Sequence, residues 1–216
     1  MTVIPITKED IPHAAQVLTN AFIGDPIFRY IFCSPRAYLR KAPWLFSTWI
    51  RWSIMYGCAW MSPDRQAVVL LRSTEHSRMS LRSMIRAGML PTPFRLGWIA
   101  FVRFYFHIVA LLDKKHAAIM GDTSHWYGWM IGAHEPGKGM ARSLFAHCAN
   151  VADERQLPIF LETATPANLG LYNAKGFEIV DQESVSQDCT IYFLVRQPQV
   201  FQETDAKRYE KAIIHS

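Results

Sequence analysis

Two spacings of hydrophobic residues alternate along the chain, one typical of helices and one typical of strands. Residues 3–6 have the composition of a short strand. Apolar residues at steps of three and four then predict a helix with one buried face, formed by Ile11, Ala14, Ala15, Leu18 and Phe22. The same spacing over residues 35–56 predicts a second, longer helix. The apolar segment between them, residues 27–32, has an ambiguous period.

Short apolar runs between turn residues predict the strands of a sheet. Residues 57–61 and 66–71 flank a Ser-Pro-Asp-Arg turn that suits a hairpin. Residues 126–131 and 159–161 form two more runs, and residues 178–180 and 190–195 predict a terminal hairpin. Between the middle two runs, helical spacing connects Met140, Leu144, Cys148, Val151 and Ala152. Pro158 ends that helix.

Residues 72–122 have helical periodicity and several arginines, and they form a predicted helical insert. The most apolar part, residues 96–112, contains Arg103 and His107 and is shorter than the roughly 20 residues that span a membrane. A buried helix without membrane insertion is therefore predicted. Arg103 and His107 share one face, which meets solvent in the preferred interpretation and lines an acceptor cavity in the alternative. Trp60 is similarly interpreted as a core residue, with acceptor-site lining as the alternative.

Composition indicates one domain over residues 1–216, with a polar C-terminal tail from about residue 197. The net charge of +5 suits a polyanionic cofactor as well as nucleic acid. Nucleic-acid binding is the weakest alternative, because the arginines lie among apolar residues and form no single stripe. The four cysteines have no metal-ligand spacing, so no metal site is predicted, and they suit a reducing cytoplasmic location.

A glycine-containing turn at residues 136–141 precedes the helix that starts near Met140. Gly137 and Gly139 allow close backbone approach, and the helix N-terminus presents unpaired N–H groups, which together predict an anion site. An ordinary turn between strand and helix is an equal alternative. A Walker-type phosphate loop and a dinucleotide fingerprint are both excluded, because the required glycine and Gly-Lys-Ser/Thr spacings are missing.

The sequence after this turn resembles the GNAT superfamily of N-acetyltransferases, and most closely its puromycin N-acetyltransferase-like branch. The family pattern is matched by Gly139-Met140-Ala141, Leu161-Glu162-Thr163, Asn168, Tyr172 and Gly176-Phe177. Two positions depart from it. Pro136 stands where the family has Gln or Arg, and Ala133 stands where it usually has Pro.

This resemblance implies an α/β (α+β) fold of GNAT type. Its central sheet would be mixed and mostly antiparallel, with helices on both faces and the helical insert before the cofactor-binding strand. It also implies transfer of acetyl from acetyl-CoA to a primary amine of a small molecule, by direct attack on the thioester. Two alternatives are a protein or peptide N-acetyltransferase and a non-catalytic acyl-CoA-binding regulatory module. A homodimer is compatible with the sequence.

The resemblance also assigns the candidate site residues. The cofactor-binding set is Ile131, Gly132, Ala133, Gly137, Lys138, Gly139, Met140, Ala141 and Asn168. For Asn168, capping of the helix that carries Tyr172 is an equal alternative. In family members the chain around Asp25 lies beside the acceptor, although a helix stop and turn is the simpler interpretation.

Tyr172 is the predicted general acid, because a phenol is protonated at neutral pH and can donate to a thiolate. Its alternative is a packing role. Glu162 is the predicted general base, acting directly or through water, and the alternative is that the amine loses its proton to solvent. His134 and Glu135 are predicted surface residues.

Overall fold

The computed structural model describes residues 3–74, 79–134 and 140–199. Within them, the helices are α1 (Ile11–Ala21), α2 (Pro26–Phe32), α3 (Pro35–Tyr56), α4 (Leu81–Arg86), α5 (Thr92–Leu96), α6 (Trp98–Val102), α7 (Ala110–Met120), α8 (Met140–Glu154) and α9 (Leu169–Asn173). The strands are β1 (Ile4–Pro5), β2 (Cys58–Met61), β3 (Ala67–Ser73), β4 (Trp126–Ala133), β5 (Ile159–Thr163), β6 (Phe177–Ser186) and β7 (Cys189–Arg196). A π-helical segment, Arg103–Val109, joins α6 to α7, and a 3-10 turn, Pro166–Asn168, precedes α9.

The described residues form a seven-stranded sheet in the order β1-β2-β3-β4-β5-β7-β6. Only β4 and β5 run parallel, and every other neighbouring pair is antiparallel. The parallel pair is joined by α8, since two parallel strands need a crossover connection. Both predicted hairpins are present as β2–β3 and β6–β7. The predicted mostly antiparallel mixed sheet is confirmed.

The strands β4 and β5 separate after three residues. Their pairing ends where Gly128 lies opposite Leu161. Beyond that point β4 continues along β3, whereas β5 continues along β7. A bulge marks the same place, because Leu70 pairs with Met130 and Leu71 with Gly128, which leaves Trp129 as an extra residue. The sheet therefore opens into a gap beside the second half of β4.

Helices cover both faces of the sheet, as predicted. Residues of α1, α2, α3 and the insert bury one face, together with sheet residues such as Val68, Tyr127 and Phe193. The other face is buried by α8 and α9, against residues such as Val69, Leu161 and Leu194. Because β-strand side chains alternate between faces, neighbouring residues such as Val68 and Val69 belong to different cores.

The helical insert packs along α3 through bonds to its backbone and side chains. Arg51 of α3 donates to the carbonyl of Ala87 at 2.8 Å, and Lys41 donates to the carbonyl of Leu96 at 2.5 Å. The indole N–H of Trp52 donates to the Ser83 hydroxyl at 3.0 Å. These bonds satisfy the ends of short helices that have few internal hydrogen bonds.

The prediction of a buried helix over residues 96–112 is only half right. Gly97 interrupts it with a positive φ of 78°. After Gly97, the face that carries Phe104 and Ile108 is buried. The opposite face leaves Trp98, Ile99 and Phe106 exposed by 69%, 69% and 66%. Helical spacing alone does not reveal that only one face meets α3 and the sheet. In the described part of the chain, no helix is long and apolar enough to cross a bilayer.

Arg103 and His107 contact α2 and do not line the main cavity. Arg103 donates to the carbonyl of Tyr30 at 3.0 Å, and Nδ1 of His107 lies 2.5 Å from the Tyr30 hydroxyl. His107 is exposed and Arg103 is half-buried. The preferred interpretation of a polar face toward solvent therefore holds for His107, whereas Arg103 is half covered by α2.

Candidate active site

A cavity of about 820 Å³ lies at the gap between β4 and β5. Residues from both cores line it. Trp49 and Phe104 belong to the core on the α3 side of the sheet, whereas Phe145 and Tyr172 belong to the core on the α8 side. The cavity is thus bounded from both faces of the sheet, which is possible only because the two strands separate.

Glu162 points into this cavity from β5, one residue beyond the last pairing with β4. Its Oε1 accepts a hydrogen bond from the hydroxyl of Tyr127 at 2.5 Å. Its Oε2 is buried and has no hydrogen-bond partner among the residues that the structure describes. Burial raises the pKa of Glu162 to about 7, although the Tyr127 hydrogen bond and the charge of Arg72 oppose the rise.

Tyr127 and Arg72 set the environment of this carboxyl. The guanidinium of Arg72 lies 3.6 Å from the centre of the Trp129 ring and 5.1 Å from that of Tyr127. Burial and the charge of Glu162 raise the pKa of Tyr127 well above its ordinary value, so its hydroxyl remains a donor. Burial lowers the pKa of Arg72, while Tyr127, Glu162 and Asp113 oppose this. A buried cation therefore faces the glutamate and favours its charged form.

Two histidines, His116 of α7 and His125, pack beside Tyr127. The ring of His116 lies 5.0 Å from the Tyr127 ring, and its Nε2 lies 2.6 Å from Nε2 of His125. Burial lowers the pKa of His125, which favours its neutral form. Phe160 packs 4.8 Å from the His116 ring. This packing restricts the orientation of Tyr127, and through it that of the Glu162 carboxyl.

Tyr172 reaches the cavity from α9 on the opposite face of the sheet from the insert. It is 7% exposed, and its ring packs against Phe145 and Phe177 at centroid distances of 6.0 and 5.7 Å. Burial, with a smaller effect of the Glu162 charge, raises the pKa of Tyr172 to about 12. Its hydroxyl is therefore protonated at neutral pH, as a general acid requires.

Asn168 also lines the cavity, at the end of the 3-10 turn before α9. It occupies the N-cap position of α9, but its side chain makes no hydrogen bond to the first turn. The alternative that Asn168 serves as a side-chain cap is therefore wrong. The interpretation as a cofactor contact stays a prediction.

Asp25 combines the two roles considered for it. Its Oδ1 accepts from the backbone N–H groups of Ile27 and Phe28 at 2.9 and 3.3 Å, which caps α2. Its Oδ2 accepts from the Thr165 hydroxyl at 3.3 Å, and the residue lines the cavity. Burial raises the pKa of Asp25 despite these bonds. The carboxyl links the start of α2 to the loop after β5.

The predicted cofactor contacts fall into three groups. Ile131 lines the cavity, while Gly132 and Ala133 pair with Val68 and Ala67 of β3. Met140 and Ala141 begin α8. The remaining candidates Gly137, Lys138 and Gly139 lie outside the described residues, as do Glu135 and Pro136. In the described part of the chain, residues 129–133 have no strand partner on the side of β5, so backbone groups there face the gap.

Two residues predicted to lie away from the site do so. His134 is exposed, and its Nδ1 lies 2.9 Å from the Asn20 amide. Trp60 packs 5.0 Å from the His147 ring of α8 and does not line the cavity. Among the described residues, no group of three or more His, Cys, Asp or Glu side chains is placed to hold a metal ion.

Sequence reasoning missed Tyr127, Arg72 and Asp113, all of which line the cavity. Arg72 carried a usable signal, because it is a charged residue directly after the apolar run 67–71. A buried arginine needs partners, and a carboxylate or aromatic face nearby follows from that need. Tyr127 carried no such signal, since an aromatic residue is ordinary in a strand.

Comparisons with known proteins found a similar sequence and several similar folds. No protein-family model matches the chain. A Schizosaccharomyces pombe protein named as an uncharacterized N-acetyltransferase is 24% identical over 218 residues, covering 96% of this chain and 86% of that protein.

Two solved structures share the fold. The histone acetyltransferase HPA2 and related acetyltransferase from Corynebacterium glutamicum matches with a TM-score of 0.62 at 22% identity, covering 92% of this chain and 97% of that one. Arylalkylamine N-acetyltransferase 2 from Aedes aegypti matches with a TM-score of 0.62 at 11% identity, covering 92% and 99%. The fold of this chain is that of the GNAT acetyltransferases.

Proposed function

We propose that this protein is an acetyl-CoA-dependent N-acetyltransferase that acetylates a primary amine of a small molecule. The observation that carries the proposal is the cavity at the gap between β4 and β5. It brings a buried carboxyl with a pKa of about 7, Glu162, and a protonated phenol, Tyr172, to one space reached from both faces of the sheet. The uncharacterized N-acetyltransferase relative supports the reaction class.

The residues on the α8 side fit acetyl-CoA, which supplies an activated thioester carbonyl when bound. Unpaired backbone groups of residues 129–133 suit the amides of its pantetheine arm. The N-terminus of α8, a helix of 15 residues, suits phosphate through its unpaired N–H groups and partial positive charge. Asn168, whose side chain is not used as a cap, would hold the arm between them.

Glu162 would accept the proton of the attacking amine. Tyr127 occupies Oε1, so Oε2 would be the atom that accepts from an incoming N–H group. A base with a pKa of about 7 is charged in a large fraction of molecules at neutral pH, and it still binds a proton well enough to remove one. Arg72 supports the charged form, which keeps the carboxyl competent despite its burial.

Tyr172 would supply the proton for the departing sulfur. Its hydroxyl holds a proton at every physiological pH, because burial raises its pKa to about 12. Acid and base thus come from different elements, α9 and β5. Over one turnover Glu162 would gain one proton from the amine and Tyr172 would give one to the sulfur, and exchange with solvent would restore both groups.

A small acceptor is favoured over a protein because the insert lines the cavity. Met79, Met84, Met89 and Phe104 form part of its wall, whereas a peptide acceptor would need an open groove. Membership of the puromycin N-acetyltransferase-like branch rests on the Leu161-Glu162-Thr163, Asn168, Tyr172 and Gly176-Phe177 pattern and is part of this proposal.

The test is an amine panel with acetyl-CoA, followed by detection of the released thiol, together with calorimetry of CoA binding. We expect CoA to bind without metal and thiol to be released with at least one amine. Binding without turnover across the panel would favour the regulatory module. No binding heat and no thermal shift at millimolar CoA would remove the proposal.

A further inference from the structure

The wall of the cavity on the insert side is mostly apolar, and its polar side chains are those of Tyr105 and Asp113. Side chains from the insert dominate it: Met79, Met84, Met89, Phe104, Ile108 and Leu112. Met89, Phe104 and Ile108 are at most 8% exposed and belong to the core that also contains Trp49. A surface of this kind stabilises a ligand by removing hydrocarbon from water.

Charged groups are few, and most are already engaged. Among the described residues that line the cavity, four are charged: Asp25, Arg72, Asp113 and Glu162. Asp25 accepts three hydrogen bonds from Ile27, Phe28 and Thr165. Arg72 is stacked on Trp129 and faces Glu162.

Asp113 is exposed at the edge of the cavity and acts on Arg72, Tyr127 and Glu162 through its charge. Within the described lining, the buried side-chain acceptor that remains without a hydrogen bond is Oε2 of Glu162. One amino group can therefore be satisfied deep in the cavity. A second charge or hydroxyl on the same ligand would lose its hydration against methionine and aromatic side chains.

We infer that the acceptor is a hydrophobic primary amine, with one amino group directed to Oε2 of Glu162 and a hydrocarbon body against the insert. The inference rests on the proposed N-acetyltransferase function and adds the substrate class. It excludes polyamines, amino acids and amino alcohols as good substrates, since each brings a second polar group into the apolar wall.

Because Met79, Met84 and Met89 line the cavity, its wall suits hydrocarbon groups of more than one shape. Methionine is unbranched and flexible, and its sulfur makes favourable contacts with aromatic rings. Linear alkyl and arylalkyl amines of similar size should therefore both be accepted. Trp49 and Phe104, whose rings pack at a centroid distance of 5.6 Å, form an aromatic part of the same wall.

The experiment is a homologous series of n-alkylamines from propylamine to hexylamine, with phenethylamine, ethanolamine and putrescine. Burying one methylene should raise kcat/KM about fourfold, so hexylamine should exceed propylamine by roughly 60-fold. Phenethylamine should fall near the upper end of the series. Ethanolamine and putrescine should lie at least about tenfold below amines of matched length, because their second polar group would lose water against the methionine side chains, whereas Asp113 lies at the edge of the cavity.

Two variants test whether the rise in kcat/KM with chain length comes from contact with the insert wall. Met84→Gln keeps the length of the side chain but introduces an amide into the wall, and we expect it to flatten the rise from propylamine to hexylamine. Met55→Gln is the matched control, since Met55 is exposed on α3 and does not line the cavity. It should leave the series unchanged. An equally steep series in Met84→Gln would overturn the placement of the hydrocarbon body.

A second readout separates this inference from the proposed function. Calorimetry of the same amines with protein alone, without acetyl-CoA, should show affinity rising with chain length. Equal turnover of ethanolamine and hexylamine would overturn the substrate class while leaving acetyl transfer standing. If no amine releases thiol, the binding series still decides: the same rise supports the hydrophobic acceptor, and a flat series rejects it.

Discussion

At the scale of single residues, the chemistry proposed for the cavity depends on the neighbours of the Glu162 carboxyl. Tyr127 fixes Oε1 of Glu162, and Oε2 is buried without a hydrogen-bond partner among the described residues. Burial raises the pKa of Glu162, while Arg72 and Tyr127 limit the rise to about 7. A lone buried glutamate would be neutral at neutral pH, and an exposed one would be a weak base. The intermediate environment of Glu162 therefore suits the proposed role of general base.

Replacing Glu162 by Gln should remove the proposed base while keeping the hydrogen bond from Tyr127. We expect kcat/KM of the parent protein to rise with pH through about 7 as Glu162 loses its proton, and this limb to vanish in Glu162→Gln. The rate at pH 8 should fall by about 10² to 10⁴. Glu178→Gln, at an exposed position of β6, is the control. An unchanged pH profile in Glu162→Gln would mean that the amine loses its proton to solvent.

The same substitution should change the pH dependence of stability. The folded protein holds the Glu162 proton up to a pKa of about 7, whereas an unfolded chain releases it near 4.5. The contribution of this group to stability is therefore full below about pH 4.5 and is lost as pH rises to about 7. Thermal unfolding should show Glu162→Gln gaining in Tm relative to the parent between pH 5 and pH 8. A constant difference across that range would contradict the raised pKa.

Tyr172→Phe tests the proposed role of Tyr172 as general acid. Only the hydroxyl is removed, so the ring contacts with Phe145 and Phe177 should survive and CoA affinity should change little. We expect kcat and kcat/KM to fall together, toward the lower end of about 10² to 10⁴, because a thiolate is already a good leaving group. Tyr192→Phe on β7, outside the cavity lining, is the control. Undiminished turnover would reduce Tyr172 to a packing residue.

At the scale of elements, the site depends on how closely α1 can approach β4. A Cβ on Gly132 would lie 2.7 Å from Cβ of Ala21 and 3.2 Å from Cδ2 of Leu18. Ala21 has no side-chain freedom, so the helix itself would have to move. Gly132 thus has a packing reason to be glycine, separate from any contact with a cofactor.

Gly132→Ala should therefore lower the free energy of unfolding by about 1–3 kcal/mol. Thermal melts should show a Tm lower by roughly 2–4 °C for each kcal/mol. Gly170→Ala is the matched control, because no atom lies within 4 Å of a Cβ at that helical position. It should be neutral or stabilising by up to about 1 kcal/mol. Equal stability of the Gly132→Ala and parent proteins would show that α1 shifts without cost.

At the scale of the whole molecule, the insert shares its core with the sheet. Met89, Phe104 and Ile108 belong to the same buried cluster as Phe46, Val68 and Phe193. On the other face, a buried bidentate pair joins β7 to α8, with Arg196 donating to both oxygens of Asp153 at 2.7 Å. Each layer is therefore tied to the central sheet.

We expect the insert and the sheet to unfold together. Far-ultraviolet circular dichroism, which reports mainly the helices, and tryptophan fluorescence should give coincident thermal transitions. A hydrophobic amine bound in the cavity should raise both transitions equally, because it contacts the insert and β4 at once. An early transition of the helical signal alone would identify the insert as an independently melting unit.

The sequence by itself determined the elements whose signal is local. Helical spacing identified α1, α3 and α8, and apolar runs between turn residues identified the hairpins, because these patterns arise from the periods of helix and strand. The resemblance placed Glu162 and Tyr172, and the structure brings both to one cavity. The short period-ambiguous segment 27–32 became α2 because Asp25 caps it.

Only the tertiary structure decided which residues surround those two groups. Tyr127 and Glu162 lie 35 positions apart, and Arg72 lies 55 positions before Tyr127, so no local pattern links them. They meet because β4 lies between β3 and β5 and separates from β5 after Gly128. The exposed face of Trp98, Ile99 and Phe106 was equally beyond reach. Periodicity shows that a helix has an apolar face, but which face is buried depends on the neighbours that the fold provides.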